Sequence, residues 1–229
     1  MKNNKIVFIS SYCNDKKKIK VLKTNLEILN TLDVKIFLYS PFQLNQDILD
    51  LVDYFFYGKQ SNQNVGELVN FWKGDRYNNQ LIRLERFWVN GLYLSFEQFK
   101  TMLKISKVYN YDFFYFMLYD VVLTSEIIDF IQNKHEESFF SVEGDDHGVK
   151  TINNCATQFF SINKDKLSTL EELFLWDSCK EFNCVEHFFY DISKKLNIKV
   201  HKDIIVADHI SDMKNWKDIF FDFSPWSEF

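Results

Sequence analysis

Apolar positions along this chain fall into two alternating repeats. Lys5 to Ser10 is a short run of strand-favouring side chains closed by the small polar pair Ser10 and Ser11. Behind it, Ile19, Leu22, Leu26 and Leu29 recur at three and four residues, on one face of a helix. Val34 to Tyr39 is a second run, halted at Ser40-Pro41 because proline cannot donate to a ladder. Strand, one-sided helix and strand predict a parallel pair with a helix packed on it.

The alternation continues. Ile48 to Tyr57 reads as a further strand, and the stretch from Gly58 to Gly74 is polar and without period. Leu92, Phe96, Phe99 and Leu103 predict a helix reaching about Tyr109. Phe113 to Leu118 is apolar throughout, which predicts burial on both faces and a central place in the sheet. Thr124 opens a helix carrying Ile127, Ile128 and Ile131. Strands over Ser138–Val142 and Thr157–Ile162 follow, then helices over Leu167–Phe174 and Val185–Leu196, and a strand over Lys199–Ala207. The aromatic tail Trp216–Phe229 is expected to fold back on the body. With no repeat and no linker composition, the expectation is one α/β domain spanning residues 1–229.

Composition narrows the partners. Net charge is -5, and the one basic run, Lys16-Lys17-Lys18 with Lys20, opens an amphipathic helix, so no nucleic-acid surface is expected. The longest apolar run is far short of the about 20 residues that span a bilayer, so no membrane span is expected. The first ten residues are too short in apolar character for a signal peptide's core, and a cytoplasmic location is expected. Cys179, Cys184 and His187 lack a fourth ligand at zinc spacing; the cysteines read as reduced core thiols.

Candidate chemistry starts at Asp120, which leaves the most apolar strand. Ligands of open α/β sheets collect outside the carboxyl ends of strands, and a carboxylate there suits Mg²⁺ or Mn²⁺. The alternative is an Asp that caps the helix beginning near Thr124. Other groups with chemical potential are Glu186-His187 at a helix start, Asp208-His209 after the last strand, and the acidic turn Glu143–Gly148. All three arginines, Arg76, Arg83 and Arg86, fall in one segment, where guanidinium forks suit phosphate oxygens.

The order of elements, with Val52–Tyr57, a polar loop, a long helix and Asn110–Tyr115 leading into Tyr119-Asp120, resembles small GT-A-type nucleotide-sugar-dependent glycosyltransferases of bacterial and viral glycan clusters. The likeness runs from about Lys5 to His209. It implies a single-domain GT-A-like Rossmann-type sheet, mixed and mostly parallel, flanked by helices. It also implies an enzyme that moves a sugar from a nucleotide-diphosphate donor to a glycan or other hydroxyl acceptor, with inversion and with Mn²⁺ or Mg²⁺ as cofactor. The centre of the likeness is an Asp-x-Asp signature, of which this chain keeps only the second acid: Leu118 stands at the first position and Asp120 at the second.

On that resemblance, Asp120 and His209 would hold the metal. Ser10, Ser40, Asp53, Tyr54, Arg83, Arg86 and Tyr119 would line the donor. Glu186 or His187 would be the general base toward the acceptor hydroxyl. Two other readings stand beside this one. A GT-A shell that lost turnover with Leu118 would be a binding module. A nucleotidyltransferase would share the α/β body, but Ser10–Asn14 is no Gly-rich phosphate loop.

Overall fold

The computed structural model describes residues 4–11, 13, 15–57, 99–133, 138–143, 155, 158–175, 178 and 185–206. At 133, 139, 141–143, 185–186 and 202–206 it describes the backbone alone. Strand β1 (Lys5–Ser10) is buried along its whole length. Helix α1 (Lys16–Leu29) is started by Asp15, whose carboxylate accepts the Lys18 amide at 2.9 Å. Then come β2 (Lys35–Ser40), α2 (Gln46–Leu49), β3 (Tyr54–Tyr57) and a helix over residues 99–106, α3. The remainder is β4 (Phe113–Leu118), α4 (Ser125–Asn133), β5 (Phe139–Glu143), β6 (Phe159–Asn163), α5 (Lys164–Leu173), α6 (Val185–Lys195) and β7 (Lys199–Val206).

The strands form one seven-stranded sheet in the order β3-β2-β1-β4-β6-β5-β7. Only β6 runs against its neighbours, antiparallel to both β4 and β5; the other pairings are parallel. This is the expected mixed, mostly parallel sheet, and β4 is central as its unbroken apolar run predicts. One expectation divides: the run Ile48–Tyr57 is the end of α2, a turn and β3, not a single strand. Ile48 is buried under α1's side of the sheet, while the ladder starts only at Tyr54.

Pleating sends alternate residues to opposite faces. Ile6, Phe8, Phe37, Phe114, Phe116 and Phe160 meet α3, α5 and α6. Val7, Ile9, Ile36, Leu38, Tyr115 and Met117 meet α1, α2 and α4.

The first face carries a row of rings at matched register: Tyr54, Phe37, Phe8, Phe116, Phe160 and Phe140, from six neighbouring strands. Consecutive centroids lie 6.3, 4.7, 5.5, 4.8 and 5.5 Å apart. Each such pair contributes about 0.5–1.5 kcal/mol beyond its area burial. The row explains why a chain with 25 Phe builds so aromatic a sheet.

Two contacts set the edge of the sheet opposite the strand ends. The Lys5 ammonium donates to the carbonyls of Ile131 and Gln132 at 2.6 and 3.1 Å, capping the last turn of α4 with a cation. Two residues past the end of α6 stands Asn197, whose φ of 51° is left-handed. There the Ile198 amide reaches back to the Ser193 carbonyl at 2.7 Å and the Asn197 amide to Lys194 at 3.2 Å. That closure sends the chain directly into β7. Among the described residues no helix is long and apolar enough to cross a membrane.

Tyr115 supplies a stability test. Its ring is fully buried and its hydroxyl has no hydrogen-bond partner among the described residues. Burial also pushes its phenol well above the usual tyrosine range. Tyr115→Phe removes that desolvated hydroxyl and keeps the ring, so it is expected to stabilise the fold by about 1 kcal/mol. The measurement is the urea midpoint at unchanged slope. A lower midpoint would show that the hydroxyl has a stabilising partner.

Candidate active site

β1, β2, β3 and β4 are parallel, so their carboxyl ends share one rim. Ser10 pairs with Leu118, and the ladder runs one residue further: the Tyr119 amide donates to the Ser10 carbonyl at 3.0 Å. Asp120 is the next residue, and it is only 4% exposed. Its carboxylate lies close enough to Cys13 to act on that thiol. Burial chiefly, and then the Asp120 charge, holds Cys13 far above its ordinary range.

The helix-capping alternative for Asp120 is answered by Thr124. Thr124 Oγ1 accepts the Ile127 amide at 3.3 Å and its carbonyl accepts Ile128 at 2.9 Å, so α4 has its cap without Asp120. The Asp120 turn is instead held from α1. Asn25, fully buried, donates to the carbonyls of Tyr119 and Val121 at 2.7 and 2.9 Å. Asn25 carries a signal in the sequence, being the polar residue inside the Leu22, Leu26, Leu29 stripe, but composition alone does not give it a role.

The remaining candidates sort by position. Leu118 is half-buried, packs against both apolar clusters, and donates its amide to the Gln158 carbonyl at 2.9 Å. Ser10 is at the rim and buried. Ser40 is also at the rim, but its hydroxyl closes a local turn, donating to the Phe42 carbonyl at 2.9 Å and accepting the Phe42 amide at 3.1 Å. Beside it the Ser11 hydroxyl donates to the Tyr39 carbonyl at 3.1 Å. These serines shape the rim's backbone. Tyr119 is half-buried against the α1 side.

Asp53 and Tyr54 are not brought to this rim. The Asp53 carboxylate accepts the Lys35 ammonium at 2.6 Å and the Ile36 amide at 2.8 Å, at the start of β2. Tyr54 is level with Phe37, three residues or about 10 Å below Ser40 along the strand. Its hydroxyl meets that of Tyr111 at 3.0 Å. These two residues instead hold together the starts of β2, β3 and β4.

His187 is placed by topology. α6 ends where β7 begins, so it runs antiparallel to the parallel strands, and its first turn lies toward the rim. Phe189 meets Phe140 and Phe160 of the aromatic row at 5.2 and 5.1 Å. His187 is half-buried and about 3 Å nearer the helix start. Glu186 shares that turn by its backbone. Arg83, Arg86 and His209 lie outside the described residues, as do Asp145, Asp146, Cys179, Cys184 and the aromatic tail.

Among the described residues no three His, Cys, Asp or Glu side chains converge to hold a metal. Asp120 thus offers one hard-oxygen ligand. A single carboxylate fits a divalent ion arriving with a diphosphate, since Mg²⁺ commonly takes one or two carboxylates plus substrate phosphates.

No protein-family model and no curated protein matches the chain. Solved structures do resemble it. A protein described as a nucleotide-diphospho-sugar transferase from Desulfovibrio desulfuricans G20 superposes with a TM-score of 0.50 at 12% identity, over 99% of this chain and 93% of that one. Glycosyltransferase GlyE from Streptococcus pneumoniae TIGR4 gives a TM-score of 0.45 at 11% identity over 87% of this chain, which spans about 45% of GlyE's length. A glycosyltransferase involved in glycosylation of the major capsid of PBCV-1 gives 0.41 at 12% identity, over 86% of this chain and 82% of that one. The match over nearly the whole chain shows the fold: a GT-A-like, mostly parallel sheet flanked by helices.

Proposed function

We propose that the protein is a glycosyltransferase, moving a sugar from a nucleotide-diphosphate donor to a glycan or other hydroxyl acceptor with inversion. The observation that carries this reading is the buried carboxylate of Asp120, fixed at the shared rim of β1 and β4 in a fold of this class. In this reading the donor lies across the ends of β1, β2 and β4, with Arg83 and Arg86 directed to its phosphates. Transfer is one displacement: the acceptor oxygen bonds the anomeric carbon as the bond from that carbon to the diphosphate oxygen breaks. His187, or Glu186 in the same turn, takes the acceptor's proton. Asp120, with His209, would hold Mn²⁺ or Mg²⁺, which when bound neutralises the departing diphosphate. The reaction proceeds within one domain and without a nucleic-acid partner.

Leu118 favours a second reading. An apolar side chain packed on both clusters stands where the family's first acid would be, as in a shell that binds a donor without turnover.

A thermal-shift screen of nucleoside diphosphates and nucleotide sugars, with and without Mn²⁺, tests the donor site. A ligand at 100 times its Kd stabilises the native state by about 2.7 kcal/mol, or about 5–10 °C for a domain of this size. No shift with any donor sinks both readings. A shift without transfer or hydrolysis across varied acceptors selects the binding module.

A further inference from the structure

We propose that Asn25 is a positioning residue that fixes the orientation of the Asp120 carboxylate toward the donor; this rests on Asp120 being the donor-site carboxylate. Three observations carry it. Asn25 lies in the middle of α1, where asparagine is a poor helix former, and it is 0% exposed, where an amide is costly to desolvate. Both hydrogens of its Nδ2 are engaged, on the carbonyls of Tyr119 and Val121, which bracket Asp120. The Tyr119 amide still bonds the Ser10 carbonyl of β1 at 3.0 Å and the Val121 amide bonds the Leu118 carbonyl at 3.4 Å, so the Asn25 bonds from α1 complete the hold on the turn that carries Asp120. The carbonyls of the Tyr119–Asp120 and Val121–Val122 peptides are thereby held on either side of Asp120, which limits where its Cα–Cβ bond can point.

The same amide is a poor choice for stability alone. Its Oδ1 is buried with no hydrogen-bond partner among the described residues. A buried acceptor left bare offsets much of what the two donated bonds contribute. Residues that break a local rule in this way are expected where function sets the requirement.

Asn25→Leu keeps the branched shape and favours the helix but donates nothing; Asn25→Ser keeps one donor and carries the test should the leucine variant not fold. Two readouts are taken on each variant and on the wild type. The first is amide hydrogen exchange over residues 118–124 against residues 5–10. Exchange over 118–124 is expected to accelerate at least tenfold in Asn25→Leu, with 5–10 unchanged and Asn25→Ser between. The second is the affinity for UDP, GDP, CDP and ADP, each with and without Mn²⁺. The gain in affinity that Mn²⁺ brings should fall by about 10–100-fold in Asn25→Leu, the range for partners that orient metal ligands.

Faster local exchange with an unchanged Mn²⁺ gain makes Asn25 structural only and overturns the proposal. Unchanged exchange overturns the clamp itself. A wild type that binds none of the four diphosphates removes the donor site, and the positioning role with it, whatever the exchange shows.

Discussion

Asp120→Asn lowers sugar transfer by about 10²–10³-fold and abolishes the dependence of donor binding on Mn²⁺. The size follows from losing a preorganised charge where diphosphate charge develops as the bond to the sugar breaks. Asparagine keeps the shape and the Asn25 bonds, which go to backbone carbonyls and not to the Asp120 side chain. The melting temperature should therefore stay near that of the wild type, since exchanging a buried carboxylate for a neutral amide relieves desolvation. Transfer rate and Mn²⁺ titration are measured together. Unchanged Mn²⁺ dependence with a changed melting temperature would return Asp120 to a structural role.

On the proposed assignment of the base, His187→Ala is expected to cut transfer by about 10²–10⁴-fold while leaving donor affinity intact, since a general base acts on the acceptor hydroxyl and not on the diphosphate. Folding is not at issue in this variant. The anchors of α6 are Phe188, Phe189 and Ile192, all buried, while His187 is half-exposed, and alanine favours the helix. Glu186→Gln is run alongside, since the two share a turn. Single-turnover kinetics separates the chemical step from binding. If both variants transfer at the wild-type rate, the base is neither residue, and Asp145 and Asp146 are tested next.

Much of the architecture was legible because its signal is local. An unbroken apolar run at Phe113–Leu118 can only be a strand covered on both faces, and the stripe Ile19, Leu22, Leu26, Leu29 can only be one side of a helix. Asp120 was legible for the same reason, since it directly follows that strand. What stayed hidden depends on partners far along the chain. Asp53 looks like a strand-end carboxylate until Lys35 and Ile36 are seen to occupy it, and its apolar surroundings do not say where the ladder begins. Asn25 reads as a lapse in a leucine stripe until the carbonyls of Tyr119 and Val121 arrive beside it. Ser40 stands at the end of β2, as the proline after it predicts, but its hydroxyl serves its own turn, a choice that composition does not reveal.

The row of rings across six strands has a consequence for how the molecule comes into being. β4 lies between β1 and β6, so the ring of Phe116 bridges Phe8, synthesised long before it, and Phe160, synthesised after it. Sequence-distant pairings of this kind close late and slow the search for the native state. β1, β2 and β3 can associate as a small sheet, yet they carry no Asp120. The edge that would receive a donor is completed only when β4 inserts and joins the two halves of the row. A partly assembled chain thus lacks the carboxylate proposed for the donor site, and Asp120-dependent binding would report arrival at the finished fold.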